Sequence, residues 1–263
     1  MLRRKLFVLP RADVFTSGEH GAYYENFLSY SHYNYLRPGL TAGIKRSRFE
    51  VALRAVRGDF GNASVIDMGC ADGIFLPSLS KYFRHVIGMD VHDYSLATAA
   101  DLIKDLKLPN VRLFNNGTMT YDQIRAAAGP ELPADLAFLL ETLEHVGTAG
   151  GKDIYMDKIA FLRGLFSLLR PDGKIVVSVP RMVGLGFLVK HAAQALLRMP
   201  TEHFTLAETI RVGFLKDTEA MESRWTNGHL GFNDEKLSRV IRRHFRIDRE
   251  FTTMVTRFFV LRP

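Results

Sequence analysis

The feature that most constrains this 263-residue chain is one stretch, Ser64-Val65-Ile66-Asp67-Met68-Gly69-Cys70-Ala71-Asp72-Gly73-Ile74-Phe75. Val65 and Ile66 read as a short buried strand, and apolar residues resume on a helix at Ile74, Phe75 and Leu76. Between them the small residues Gly69, Ala71 and Gly73 alternate along the loop, so that the backbone can approach a ligand where a larger side chain would intrude. The glycine spacing is not that of a dinucleotide fingerprint. The two carboxylates of the loop, Asp67 and Asp72, would repel a pyrophosphate and suit a ligand carrying an ammonium and a sulfonium centre.

The stretch resembles motif I of the class I S-adenosylmethionine-dependent methyltransferases. That resemblance implies S-adenosylmethionine as cofactor, S-adenosylhomocysteine as product, and Asp67, Gly69, Ala71, Asp72 and Gly73 in the cofactor site. A helix through Leu76, Leu79 and Phe83 then leads to a second strand, Val86 to Asp90. Asp90 ends that strand at the position from which an acidic side chain of a βαβ unit accepts hydrogen bonds from both ribose hydroxyls, and Val91 follows it into the same site. After a helix over Tyr94 to Leu106 and a third strand over Val111 to Phe114 comes Asn115-Asn116-Gly117. In the resembling family a polar side chain here binds the adenine amino group, which the amide of Asn115 or Asn116 can do. The family more often has Asp at this point, and an Asn-Gly turn is the other reading.

Ala134 to Leu140 is continuously apolar, as a strand buried on both faces should be. The run that follows, Glu141-Thr142-Leu143-Glu144-His145-Val146, looks like the segment of methyltransferases similar to the ubiquinone O-methyltransferases. It brings Glu141 to the cofactor and His145 to the crevice at the strand ends. An imidazole, with an ordinary pKa near 6.5, can take a proton from a substrate hydroxyl. The alternative is that Glu144 and His145 cap or pack the next helix. That helix is expected over 153–169, followed by a turn through Leu168-Leu169-Arg170-Pro171-Asp172-Gly173-Lys174 and a fifth strand over Ile175 to Pro180. The turn again resembles the same family.

Tyr23, Phe27 and Tyr30 share one helical face, and a helix from Lys45 to Val56 turns Phe49, Leu53 and Val56 inward. Val183 to Leu197 reads as an amphipathic helix that covers the substrate or lies on a membrane. His203 and His229 each stand near an aromatic residue. His229-Leu230-Gly231-Phe232 is similar to a run found before the last helix of many such methyltransferases, where it can face the substrate; the other reading of His229 is a core histidine satisfied by backbone. That helix, Asp234 to Phe245, is capped by Asn233 or Asp234, and an antiparallel pair closes the chain.

The expected fold is therefore a doubly wound, Rossmann-like α/β sheet of seven strands, mostly parallel with the last antiparallel, with helices on both faces and a helical substrate-covering segment. The expected division is an N-terminal helical segment over 1–60, a cofactor-binding core over 61–180, a helical cap over 181–235, and the last helix and closing strand over 236–263.

Composition narrows the function. The hydrophobic fraction of 47% and the charged fraction of 24% are those of a globular domain, and no apolar run is long enough to span a bilayer. The basic-then-apolar start, Met1 to Pro10, is too short for a signal-peptide core and reads as mature sequence. A single cysteine, Cys70, fits a reducing compartment and reads as a packing residue rather than a nucleophile. The net charge is +7, with Lys and Arg outnumbering Asp and Glu by 10 to 5 over residues 1–60 and by 14 to 9 over 181–263, but not over 61–180, where the count is 11 to 14. The basic excess lies on the flanks, where an acceptor or an anionic surface would be met. Nucleic-acid bases are poor candidates, because the chain carries neither the Pro-Pro-Tyr loop that holds an extruded amino base nor a cytosine-attacking cysteine. No His, Asp and Glu cluster shows a recognised metal spacing, so no metal is indicated.

The expectation is an S-adenosylmethionine-dependent methyltransferase that methylates an oxygen of a small-molecule or lipid-linked acceptor, with His145 and His229 as catalytic residues. N- or C-methylation of a similar acceptor, and a non-catalytic cofactor-binding protein, are the alternatives. The expected location is cytoplasmic, with contact to the inner face of a membrane through the basic flanks as a variant.

Overall fold

A computed structural model of the protein describes residues 5–15, 29–148, 153–196, 204–222, 224–226 and 228–263. The helical positions expected for Tyr23 and Phe27, and His203, lie outside them. Seven strands form one sheet in the order β3-β2-β1-β4-β5-β7-β6, where β1 is Ser64–Met68, β2 His85–Asp90, β3 Val111–Asn115, β4 Ala134–Leu140, β5 Leu169–Pro180, β6 Arg246–Thr252 and β7 Thr256–Arg262. The first three strands and β4 pair in parallel, with Val65 opposite both Val86 and Leu136, and β6 and β7 pair antiparallel. This is the expected seven-stranded Rossmann-like sheet. The chain divides into two compact units, Met1–Leu139 with Phe166–Val176, and Leu140–Leu165 with Val177–Pro263.

In the first unit, α1 runs from Leu40–Ala55, starting a turn before the expected Lys45, and buries Phe49, Ala52 and Leu53. Its Phe49 stacks on Phe75 at 4.8 Å between ring centroids, and Phe75 meets Phe138 of β4 edge-on at 5.2 Å. Each fully buried phenylalanine of this column contributes about 2 kcal/mol of transfer free energy. The column joins the N-terminal helix to the strand core. The remaining helices are α2, Leu76–Tyr82, α3, Asp93–Asp105, and α4, Tyr121–Ala128. No helix was expected at α4, although its signal is local. Thr120 and Gln123 form a capping box, each side chain bonding the other's backbone N–H.

In the second unit, α5 is Ile154–Phe166, α6 Gly184–Leu196, α7 Leu206–Ile210, α8 Glu219–Glu222 and α9 Asp234–His244. Asn233 caps α9, its Oδ1 accepting from the backbone N–H groups of Glu235 at 3.0 Å and Lys236 at 2.9 Å. Asp234 is not the cap. It is buried, accepts from Met182 N–H at 2.9 Å, and pairs with Arg257 at 2.9 Å.

The turn expected over 168–174 is part of β5, which already begins at Leu169. Arg170, Pro171 and Asp172 are exposed there, so the polar residues that suggest a turn are instead the solvent-facing start of a long strand.

Candidate active site

The loop after β1 lies where the strand order reverses between β1 and β4, the place at which open parallel sheets bind ligands. Gly69, Ala71 and Gly73 have φ of 79°, 47° and 87°, so alternate residues sit in the left-handed region. A Cβ on Gly73 would come within 3.0 Å of Leu76 and 3.1 Å of Ala99, which adds a packing reason for glycine to the conformational one. The N–H groups of Gly69 and Cys70 donate to the carbonyl of Met89 at 2.8 and 3.0 Å, tying the loop to the end of β2.

Asp90 completes that tie. Its Oδ2 accepts from Ala71 N–H at 2.9 Å and its Oδ1 from His92 N–H at 3.0 Å. A carboxylate offers about four acceptor positions, so two backbone bonds hold Asp90 in place and leave others open to a ligand's donors. Asp67 is 4% exposed, and its Oδ2 is buried with no hydrogen-bond partner. Burial first, and repulsion from Asp90 second, push its pKa up to about 7.

Asp72 is directed elsewhere. Its carboxylate accepts from the Ser31 backbone N–H at 2.6 Å and from the Ser31 hydroxyl, so its charge anchors the segment ahead of α1. Burial raises its pKa, and the serine hydrogen bonds oppose the rise. Asn115 is also occupied locally. Its Oδ1 accepts from Gly117 and Thr118 N–H groups at 2.7 and 3.1 Å and its amide donates to Asp93 at 2.5 Å, the Asn-Gly turn of the alternative reading. Asn116 has a buried Oδ1 without a hydrogen-bond partner. Val91 is 51% exposed at the end of β2. The Cys70 thiol is buried, and burial followed by the charges of Asp67, Asp90 and Asp72 pushes its pKa well up, which makes it a packing group and a poor nucleophile.

These residues fit S-adenosylmethionine. Two orphaned buried oxygens, on Asp67 and Asn116, invite donors, the left-handed loop leaves room for close approach, and Asp90 is pre-set as an acceptor.

The second unit gathers the other expected residues. Glu141 follows β4 with φ of 53°, an uncommon conformation for a residue with a side chain, and both its backbone N–H and its carboxylate bond Ser178, at 2.9 and 3.2 Å. Leu143–His145 then makes one 3-10 turn. That turn buries Glu144 completely and leaves His145 half-exposed. His229 is brought to the same place, with ring centroids 5.4 Å apart and the planes 33° from parallel. The Nε2 atoms of His145 and His229 lie 3.8 and 4.0 Å from Oε1 of Glu144. Among the described residues, Glu144, His145 and His229 form a group that could hold a metal ion, each offering a ligand atom within 4.8 Å of the others.

Sequence reasoning missed what supports this cluster. Lys158 is fully buried and donates to the carbonyls of Glu144 at 3.2 Å and Val146 at 2.6 Å. Its ammonium stands over the Trp225 ring at 4.4 Å, and Trp225 Nε1 donates to the carbonyl of Gly228, next to His229. The signal was available. Lys158 falls among Ile154, Tyr155, Ile159 and Leu162 on the buried face of α5, where a lysine needs a reason.

Residues 44–236 match the family described as "Methyltransferase domain". No curated protein matches the chain. Among solved structures, the PH0226 protein from Pyrococcus horikoshii OT3 is similar at 13% identity and a TM-score of 0.55, covering 92% of this chain and 100% of that one. The magnesium protoporphyrin IX methyltransferase ChlM from Synechocystis PCC 6803, solved with bound S-adenosylhomocysteine, is similar at 16% identity and a TM-score of 0.51, over 86% and 89% of the two chains. The N-methyltransferase NodS from Bradyrhizobium japonicum WM9 is similar at 16% identity and a TM-score of 0.50, over 84% and 96%.

Proposed function

This chain belongs to the methyltransferase-domain family and is an S-adenosylmethionine-dependent methyltransferase, and from that premise we propose that it methylates an oxygen of a small-molecule or lipid-linked acceptor. The observation that carries the reading is the pair of imidazoles, His145 and His229, standing over the buried Glu144 carboxylate. An oxygen nucleophile must lose a proton as it attacks, and a hydroxyl loses it with difficulty unless a base is near. An imidazole nitrogen is a proton acceptor in its neutral form, and His145 and His229 present two such rings side by side.

When bound, the cofactor supplies a methyl group on a sulfonium. The chain's part is to align and to handle the proton. Asp67 and Asp90 orient the cofactor's polar groups, and Asn116 takes the adenine edge in preference to Asn115, whose amide is spent in its turn. The Glu141 carboxylate accepts from the Ser178 hydroxyl, which fixes its orientation after β4. His145, the more exposed of the two imidazoles, accepts the acceptor's proton, and His229 steadies it.

The lipid-linked form of the acceptor has its own support. Leu185, Leu206, Ile210, Phe214 and Leu215 of α6, α7 and the turn after α7 are 73%, 77%, 48%, 70% and 69% exposed, on a part of the chain with an excess of basic residues. Among the described residues no helix is long and apolar enough to cross a membrane.

The test is a labelled-methyl screen over quinols, sugars and lipid extracts, followed by His145→Gln on the accepted substrate. The expected result is an O-methyl product, and a kcat lowered roughly 10²- to 10⁴-fold with cofactor affinity kept. A product methylated on nitrogen or carbon, or cofactor binding with no turnover on any acceptor, overturns the reading.

A further inference from the structure

We propose that Glu144, His145 and His229 bind a divalent first-row transition-metal cation, which receives the acceptor's oxygen. The inference deepens the O-methylation reading and rests on it for its role, though not for the binding itself.

The geometry argues for an ion in three ways. First, the Nε2 atoms of His145 and His229 are 3.8 and 4.0 Å from the same Glu144 oxygen, beyond the 2.7–3.2 Å of a direct N–H···O bond. The three ligand atoms nevertheless converge within 4.8 Å. Metal–ligand bonds of about 2.0–2.2 Å put neighbouring donors roughly 3–3.5 Å apart, so closure onto an ion needs shifts of under about an ångström per donor. Second, the backbone that carries the donors is held from behind. Lys158 spends its ammonium on the carbonyls of Glu144 and Val146, on either side of His145, and Trp225 holds the carbonyl of Gly228, next to His229. A site whose backbone is clamped in this way loses little order when an ion enters. Third, burial is graded. Glu144 is fully buried, whereas the imidazoles are 46% and 34% exposed, so a cation entering from solvent meets the nitrogens with a carboxylate beneath them.

Two imidazoles and one carboxylate form a borderline donor set that suits Zn²⁺, Co²⁺, Mn²⁺ or Fe²⁺ better than Ca²⁺ or Mg²⁺, which prefer all-oxygen shells. Three protein ligands leave coordination positions open, the pattern of catalytic rather than structural sites. An acceptor hydroxyl in an open position loses its proton to water more readily, since a bound cation depresses the pKa of a coordinated oxygen acid. Its oxygen then forms the C–O bond as the C–S bond of the sulfonium breaks, and the cofactor leaves as the neutral thioether. In the loaded protein the imidazoles serve as ligands, and the acceptor's proton goes to water instead of to His145.

The test uses Co²⁺ as the probe, titrated into the full-length, metal-stripped protein without cofactor or acceptor and followed by calorimetry and visible absorption. The expected result is saturation at one ion per chain, with d–d bands of nitrogen and oxygen ligation. His145→Ala, His229→Ala and Glu144→Gln should each weaken binding at least tenfold and alter the bands, and His85→Ala, at the start of β2, should leave both unchanged. Absence of saturable binding, or binding that all three variants keep, overturns the proposal. Should Glu144→Gln fail to fold, the two histidine variants decide the matter, since their side chains are partly exposed. The readout needs no turnover, so a protein that binds Co²⁺ at this site but methylates nitrogen would refute the O-methyl reading and leave the site standing.

Discussion

The Lys158 ammonium stands 4.4 Å over the Trp225 ring, with both residues buried, and through that contact one cation reaches both segments of the histidine cluster. Its hydrogens go to the carbonyls on either side of His145, while Trp225 holds the carbonyl preceding His229. A buried ammonium over an indole is worth about 2 kcal/mol, against the cost of removing it from water.

Lys158→Met keeps the length of the side chain and loses its donors. Two buried carbonyls then lack partners, so a net loss of about 1–3 kcal/mol is expected by chemical denaturation, with perturbed His145 and His229 ring signals by NMR. Burial lowers the Lys158 pKa from 10.5 to about 8, with Glu144 and Asp157 opposing the shift. Between those values the unfolded chain binds the extra proton, so this group makes the wild type gain stability as pH rises from about 8 to 10.5. The variant should lack that gain, and identical pH dependence in the two proteins would count against the assignment.

Asp90→Ala should weaken S-adenosylmethionine binding by on the order of 3 kcal/mol, the value of two ribose bonds to a charged acceptor. Asp90→Asn, which keeps one acceptor oxygen, should fall between. Calorimetry measures both, and wild-type affinity in the alanine variant would remove Asp90 from the site.

Asp67 gives a second pH dependence, of opposite direction. Its folded-state pKa is raised from 3.8 to about 7 by burial and by Asp90, so the folded cofactor-free protein binds the extra proton. The stabilisation is complete below about pH 4 and is lost as pH rises through 7. Asp67→Asn should therefore be more stable than wild type at pH 8, by at most about 4 kcal/mol, and should converge with it near pH 4. Denaturation curves across that range check the sign.

Ser31→Ala removes the hydroxyl bond to Asp72 and leaves the backbone one. A loss of about 1–2 kcal/mol is expected, with faster amide exchange confined to residues 29–36 and little change in cofactor affinity. A large loss of affinity with unchanged exchange would instead return Asp72 to the cofactor site.

The order of elements was legible in the sequence because it is written locally. Buried parallel strands such as Val65-Ile66 and Ala134 to Leu140 are continuous apolar runs, and the loop at Gly69, Ala71 and Gly73 must be small because the backbone there is left-handed or crowded. The position of Asp90 at the end of β2, beside the loop, was legible for the same reason, since a βαβ unit sets how far an acidic residue at the second strand's end stands from the loop. Where local signals competed, the reading was less secure. Arg170-Pro171-Asp172-Gly173 has the composition of a turn, but β5 already starts at Leu169.

Tertiary structure alone decided which partner each polar group takes. Asp67 and Asp72 stand in one loop with the same side chain, yet one carboxylate keeps an orphaned oxygen and the other is spent on Ser31. Asn115 and Asn116 divide in the same way between a turn and an open buried acceptor. The meeting of His145 with His229 over Glu144, and the lysine beneath them, joins residues far apart in the chain. Hydrogen bonds and ion contacts act over a few ångströms in space and are indifferent to separation in sequence. Periodicity and spacing therefore specify the scaffold, and only the folded chain specifies the chemistry of the site.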